Sequence, residues 1–205
     1  MSELSKEILN QINNVKKLPY ELNIRGHQGA SEDITWDGKL LLEGGPTTNC
    51  VCFVTEVVVR AMKTLGLEKN VPFNIMQAFQ EHSFIIDEEK HFWGMPEAVD
   101  IYKFGDIIEI EAANVSSLKG GDVAQFWMMN EEDETEGGHA VIVLSGQNGE
   151  DNEGKPYIVD YNASNLKPKG HFKTWHNFEF KRESGYERVW CFARLDENKI
   201  LTTYR

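Results

Sequence analysis

Long hydrophobic runs are missing from this chain; nothing in it approaches the roughly 20 apolar residues that a membrane-spanning helix needs. Clustered cations are missing as well. The formal net charge is −12, and no Lys/Arg cluster interrupts the acidic balance. That excludes broad phosphate-backbone contact and with it a nucleic-acid partner, while leaving a cationic or cell-wall substrate open. Cysteine is scarce and odd in number, three in 205 residues, which suits a reducing compartment better than a disulfide scaffold. The first sixteen residues are polar and carry no apolar run or small-residue cleavage site, so no secretory signal is expected. The expected location is cytoplasmic as synthesised, or outside by a signal-independent route.

What is present is enough for a core: 40% apolar and 11% aromatic residues. No repeat or linker divides the chain, so residues 1–205 are expected to form a single domain. Leu4, Ile8, Ile12 and Val15 recur at helical spacing and predict a helix over 3–16 within an N-terminal helical part, 1–46. Residues 20–46 are glycine-rich and predict loop with a short strand near Lys39–Leu42. Short helices are expected near Asn74–Glu81 and after Pro96. From Phe104 the period changes to that of strands: Gly105–Glu111, Gly121–Met129, Gly137–Leu144, Pro156–Tyr161 and Tyr186–Leu195. The fold class is α+β, one helix packed on an antiparallel sheet of about five strands.

The chemistry centres on Thr47-Thr48-Asn49-Cys50-Val51-Cys52-Phe53-Val54, which runs into a helix ending near Leu65. It sets a thiol in the first turn behind capping residues. Free N–H groups and the positive end of the helix dipole there favour a thiolate, and can hold an oxyanion beside it. At 100° per residue Cys50 borders the face of Val51, Val54, Val58, Ala61, Met62 and Leu65, whereas Cys52 falls opposite with Glu56 and Lys63. Cys52 is therefore a bystander, and the pair is no metal chelate. Cys191 lies among Val189, Ala193 and Leu195 and reads as a buried structural thiol.

A cysteine nucleophile needs a base near its sulfur and a third group to orient that base. His139 opens a strand and shares a face with Val141 and Val143; on the next strand Ile158, Asp160 and Asn162 share one face. Asp160 and Asn162 can both address a histidine on the neighbouring strand. The candidate catalytic residues are thus Cys50, His139, Asp160 and Asn162. No cofactor is called for, and His171 and His176 lack a third ligand for zinc. His27 reads as a surface loop residue, His82 and His91 have no ligand-like spacing, and Phe92–Trp93 reads as core packing or a lid.

Cys50-Val51-Cys52-Phe53-Val54 resembles the start of the CHAP family of cysteine, histidine-dependent amidohydrolases and peptidases, relatives of the NlpC-type cell-wall peptidases. Leu118-Lys119-Gly120-Gly121-Asp122-Val123 resembles the strand lead-in of those families, Gly138-His139-Ala140-Val141-Ile142-Val143 their histidine strand, and Asp160-Tyr161-Asn162 the Glu-x-Asn pair that completes the CHAP site. The resemblance covers residues 47–66 and 118–163. It implies a papain-like core and a thiol hydrolase that cuts amide or peptide bonds, most readily in peptidoglycan stem peptides, with a proteinaceous inhibitor as a possible partner. Asp160 stands where the family has Glu, and the 88 residues between Cys50 and His139 imply a helical insertion at about 67–103.

Three other readings share these residues. An intracellular amidase of a small conjugate would use the same site. His139-Ala140-Val141 with Tyr157-Ile158-Val159-Asp160 also resembles the transglutaminase-like core, where Asp160 would orient His139 and an amine would accept the acyl group. A papain-like domain that binds peptide without cleaving it would have an unreactive Cys50.

Overall fold

A computed structural model describes residues 1–22, 28–84, 94–130, 135–148, 154–164, 171–179 and 187–205. The expectations for His27, His91, Phe92–Trp93 and most of the acidic loop after Asn130 fall outside them. The chain is α+β. Its helices are α1 (Glu3–Asn14), α2 (Cys50–Thr64), α3 (Phe73–His82), α4 (Gly94–Ile101) and α5 (Glu197–Thr203); its strands are β1 (Gln28–Ala30), β2 (Ile34–Trp36), β3 (Lys39–Gly44), β4 (Gly105–Ile108), β5 (Val123–Met129), β6 (Thr135–Gln147), β7 (Tyr157–Ala163), β8 (His171–Asn177) and β9 (Glu187–Leu195). No described helix is long and apolar enough to cross a membrane.

Among the described residues of 1–46, α1 is the one helix, as the spacing of Leu4, Ile8 and Ile12 predicted. Residues 28–44 make a three-stranded sheet in the order β1-β3-β2. Asp37-Gly38, both at positive φ (48° and 72°), turns β2 into β3. That dipeptide is a strong hairpin signal. The small sheet covers the side of α2 opposite the main sheet. Glu56, 1% exposed, accepts from Ser31 N (2.8 Å), Ser31 Oγ (2.5 Å) and Arg60 Nε (2.9 Å). Cys52 Sγ donates to Gln28 O at 3.0 Å. Cys52 does point away from Cys50, but into a second packed layer and not to solvent.

The main sheet has six strands rather than about five, ordered β4-β9-β5-β6-β7-β8, with every neighbouring pair antiparallel. β8 carries lysine, threonine and an exposed Trp175 among its residues, so its alternation was too polar to read as a strand. One face, with Val123, Ala140, Ile142, Ala163 and Ala193, packs into the core that holds α1 and α2. The other gathers Ala124, Val141, Val143, Ile158 and Phe192. The sheet curls around this second face until the end of β8 meets β9: Arg188 Nη1 donates to Asn177 O (2.7 Å) and Trp190 Nε1 to Phe178 O (3.1 Å). The helices within 67–103 pack into the core. Met95 of α4 and Phe79 of α3 are fully buried with Phe104.

The Gly120-Gly121-Asp122 lead-in is explained by packing. Asp122 is fully buried, accepts from Lys119 N at 2.8 Å, and takes Arg194 Nε and Nη2 on its two oxygens at 2.7 Å each. Gly121 has φ +90°, and a Cβ there would lie 2.6 Å from Ser5 O. A bidentate pair of this kind pins the β5 entrance to β9.

His171 of β8 is buried edge-on to Phe53, their ring centroids 4.7 Å apart, with neither ring nitrogen hydrogen-bonded. Burial, and then the charge of Lys17, push its pKa down to about 4 from 6.5. Protonation is thus resisted in the folded chain and free in the unfolded one. The stability this confers is complete above pH 6.5 and is lost as pH falls toward 4, on the order of 3 kcal/mol for the interval. Urea unfolding at pH 7 and pH 4.5 should show this loss, and His171→Phe should remove most of the difference.

Candidate active site

α2 begins at Cys50 because Asn49 caps it. The Asn49 backbone is extended, its Oδ1 accepts from Cys52 N at 2.8 Å, and its C=O receives the first intrahelical bond from Phe53 N at 3.0 Å. Such a cap contributes about 1 kcal/mol. Here it also fixes which residue occupies the helix end, where the dipole favours an anion.

Three groups meet around the Cys50 sulfur. The thiol is 7% exposed, and burial alone would push it up; the charge of His139 and its hydrogen bond, then the Ala140 N–H and the Tyr20 hydroxyl, outweigh burial and hold it at about 7. The effect is mutual. Burial pulls His139 down, while the charge and hydrogen bond of Cys50, followed by the Asn162 side chain and the Asp160 charge, bring it above its ordinary value. A thiolate–imidazolium pair is what these opposing shifts describe.

Tyr20 was not anticipated as a site residue. It reaches the site from the segment after α1 because two backbone bonds tie that segment to the residue before the cap: Thr48 N to Pro19 O (2.9 Å) and Glu21 N to Thr48 O (2.8 Å). Its hydroxyl lies 3.9 Å from Cys50 Sγ and beside the Cys50 N–H. The only sequence cue was an aromatic after Pro19, thirty positions upstream.

Behind His139 the structure separates the roles of the two residues on β7. Asp160 and Asn162 are both fully buried. Asn162 Nδ2 donates to Asp160 Oδ1 at 2.7 Å, which turns the amide so that its Oδ1 is the acceptor left for the His139 ring. That contact falls short of full hydrogen-bond geometry but still favours the imidazolium. Asp160 spends its other oxygen on His176, whose Nδ1 donates to Oδ2 at 2.7 Å. Asn162 is therefore the side chain against His139, and Asp160 lies one step behind it. His176 is the second group that sequence reasoning passed over, because it sits on the unrecognised strand β8.

The far side of the histidine is aromatic. Phe126, which pairs with His139 across β5–β6, has ring centroids 5.7 Å from His139, 5.1 Å from His176 and 4.5 Å from Trp190. Arg188 lies over the Phe126 ring at 4.6 Å. Trp127, on the opposite face, covers Gly138, so a Cβ at Gly138 would collide with its ring. This accounts for glycine directly before His139. Among the described residues no group of three or more His, Cys, Asp or Glu side chains could hold a metal ion. Cys191 is buried, with its pKa pushed up to about 12 by desolvation, and Cys52 likewise. Cys50 is the thiol equipped to react.

Comparison of the chain with protein-family models, with curated proteins and with solved structures found no match to any of the three. The chemistry therefore has to be read from the side chains themselves.

The pH dependence of iodoacetamide alkylation at Cys50, followed by mass spectrometry, tests this geometry. Wild type should titrate near pH 7. His139→Ala leaves only the weaker Ala140 N–H and Tyr20 hydroxyl contacts against burial and should move the midpoint above the ordinary thiol range, slowing alkylation at neutral pH about 100-fold. Tyr20→Phe should raise the midpoint by less, about half a unit, since its hydroxyl is the weaker of the stabilising contacts.

Proposed function

We propose that this protein is a cysteine amidase or peptidase on a papain-like core, cleaving an amide bond through a thioester intermediate. The observation that carries the reading is the Cys50–His139 pair at the start of α2, with the thiol held near neutrality by a histidine that is itself backed by Asn162 and Asp160. In the reaction the Cys50 thiolate attacks the carbonyl carbon and forms a C–S bond. The oxyanion that develops lies beside the Cys50 N–H and the Tyr20 hydroxyl, two donors available without rearrangement of α2. His139 gives its proton to the amide nitrogen as the C–N bond breaks, then takes one from water, whose oxygen attacks the thioester carbonyl and releases Cys50.

Of the substrate classes open to such a site, we infer peptidoglycan stem peptides, on the resemblance of Gly138-His139-Ala140-Val141-Ile142-Val143 and Cys50-Val51-Cys52-Phe53-Val54 to cell-wall amidases. Occupation of both Asp160 oxygens by Asn162 and His176 favours hydrolysis of the CHAP type over a transglutaminase-like site, in which the acid itself would orient His139.

The test is digestion of purified peptidoglycan by wild type and Cys50→Ala, with released fragments identified by mass spectrometry. Fragments from wild type alone are expected, and their new termini identify the bond. If wild type releases none, the cell wall is not the substrate. Asn162→Ala should lower kcat on the cleaved peptide about 10²-fold with little change in KM, the size expected for loss of one orienting contact on a general base. An unchanged kcat would return Asp160 to the orienting role.

A further inference from the structure

We propose that His176 is a positioning residue that holds the His139 imidazole through Asp160 and Asn162, so that the reacting pair is supported by a side-chain chain of five: Cys50, His139, Asn162, Asp160 and His176. The inference rests on reading Cys50 and His139 as the reacting pair. It concerns a residue on β8, the edge strand that neither the motif spacing nor the resemblance reached.

The argument begins with an amide. Asn162 can present either its oxygen or its NH2 group to His139, and the two have opposite effects: the oxygen accepts from an imidazolium, whereas the NH2 opposes one. What selects the oxygen is the Asp160 carboxylate, which takes Asn162 Nδ2 at 2.7 Å. That carboxylate is itself fully buried and must be held by donors on both oxygens. The second donor is His176 Nδ1, at 2.7 Å. Remove it, and Oδ2 is a buried acceptor without a donor; the carboxylate then turns or admits water. In each case Asn162 loses the fixed acceptor that sets its orientation.

Packing supports a fixed ring at this position. His176 is 6.1 Å from His139, 5.1 Å from Phe126 and 6.1 Å from Trp190, measured between ring centroids, so it is wedged on three sides. The curl of the sheet puts it there, since β7 separates β6 from β8 in the strand order. The titratable and charged groups around the network are Tyr20, Cys50 and Cys52 on the α2 side, His139 on β6, Asp160 on β7, and Arg188 of β9 over Phe126.

Two substitutions separate positioning from packing. His176→Phe keeps a ring between Phe126 and Trp190 and removes the donor. His176→Asn loses the ring but places an amide N–H close to the position of Nδ1. The readout is the alkylation midpoint of Cys50, which needs no substrate and so stands apart from whether peptidoglycan is cut. His176→Phe is expected to raise the midpoint enough to slow alkylation at pH 6.5 roughly threefold to tenfold, and His176→Asn to stay within about twofold of wild type. Because the effect passes through Asn162, His176→Phe should add nothing in an Asn162→Ala background. A midpoint unmoved by His176→Phe, or moved equally with and without Asn162, overturns the proposal. Should His176→Phe fail to fold by circular dichroism, the decision falls to His176→Asn set beside His176→Ala. The rescue expected is a wild-type midpoint in the first and a raised one in the second, and equal midpoints in both overturn the proposal.

Discussion

Neither Cys50 nor His139 can carry its charge alone. Burial pushes the thiol toward neutrality and does the same to the imidazole, and the strongest pull of each toward its charged form comes from the other. A pair of this kind leaves no slack. Without His139 beside it the thiol would be pushed up by burial, as Cys191 is. Everything that fixes the start of α2 against the His139 position of β6 therefore serves this contact: the Asn49 cap, the two backbone bonds through Thr48, and the Trp127 ring that admits only glycine before His139.

The need for rigidity explains why α2 is covered on both sides. A helix packed on one sheet could rock about its long axis. Here the small sheet closes the opposite face, and Glu56 ties it to α2 with two hydrogen bonds from Ser31, its carboxylate steadied by Arg60 one turn along the helix. Burying a carboxylate costs several kcal/mol unless its oxygens are fully engaged. Glu56, Asp122 and Asp160 meet that condition in the same way, each taking two or more donors from different parts of the chain. Three buried acids in a chain of net charge −12 mark the places where position is held most firmly: the back of α2, the entrance to β5, and the support behind His139.

The sequence disclosed the local parts of this design and hid the long-range ones. Period and capping are properties of neighbouring residues, so α1, α2, α3 and the strands that bear Val141 or Ile158 could be read directly. The helical wheel separated Cys50 from Cys52 for the same reason. What lay opposite Cys52 could not be read, because β1 reaches it from a glycine-rich stretch whose strands are three residues long. The Asp37-Gly38 hairpin turn was legible and was passed over. β8 was not legible: Lys173, Thr174 and Trp175 alternate too little in polarity, and the strand is held by its ladder to β7 and by the closure of the sheet on β9. With β8 hidden, a partner for Asp160 could not be seen, and the question of whether the acid or the amide faces His139 could not be decided by spacing.

That last ambiguity has a general physical content. On one face of a strand, residues two apart are neighbours of the same cross-strand residue, so Asp160 and Asn162 had equal claims on His139. The register separates them: Ile142 pairs with Tyr161 and Val143 with Asp160, so Asn162 lies nearer to His139 than Asp160 does. A buried carboxylate facing two hydrogen-bond donors engages both, and once Asn162 and His176 have filled its oxygens it acts on His139 only through charge at a distance. The amide, with one end tied to the carboxylate, has its oxygen left over. The arrangement of the two side chains thus follows from the β6–β7 register, which sets the amide nearer to His139, and from β8, which places a donor on the far oxygen of the acid.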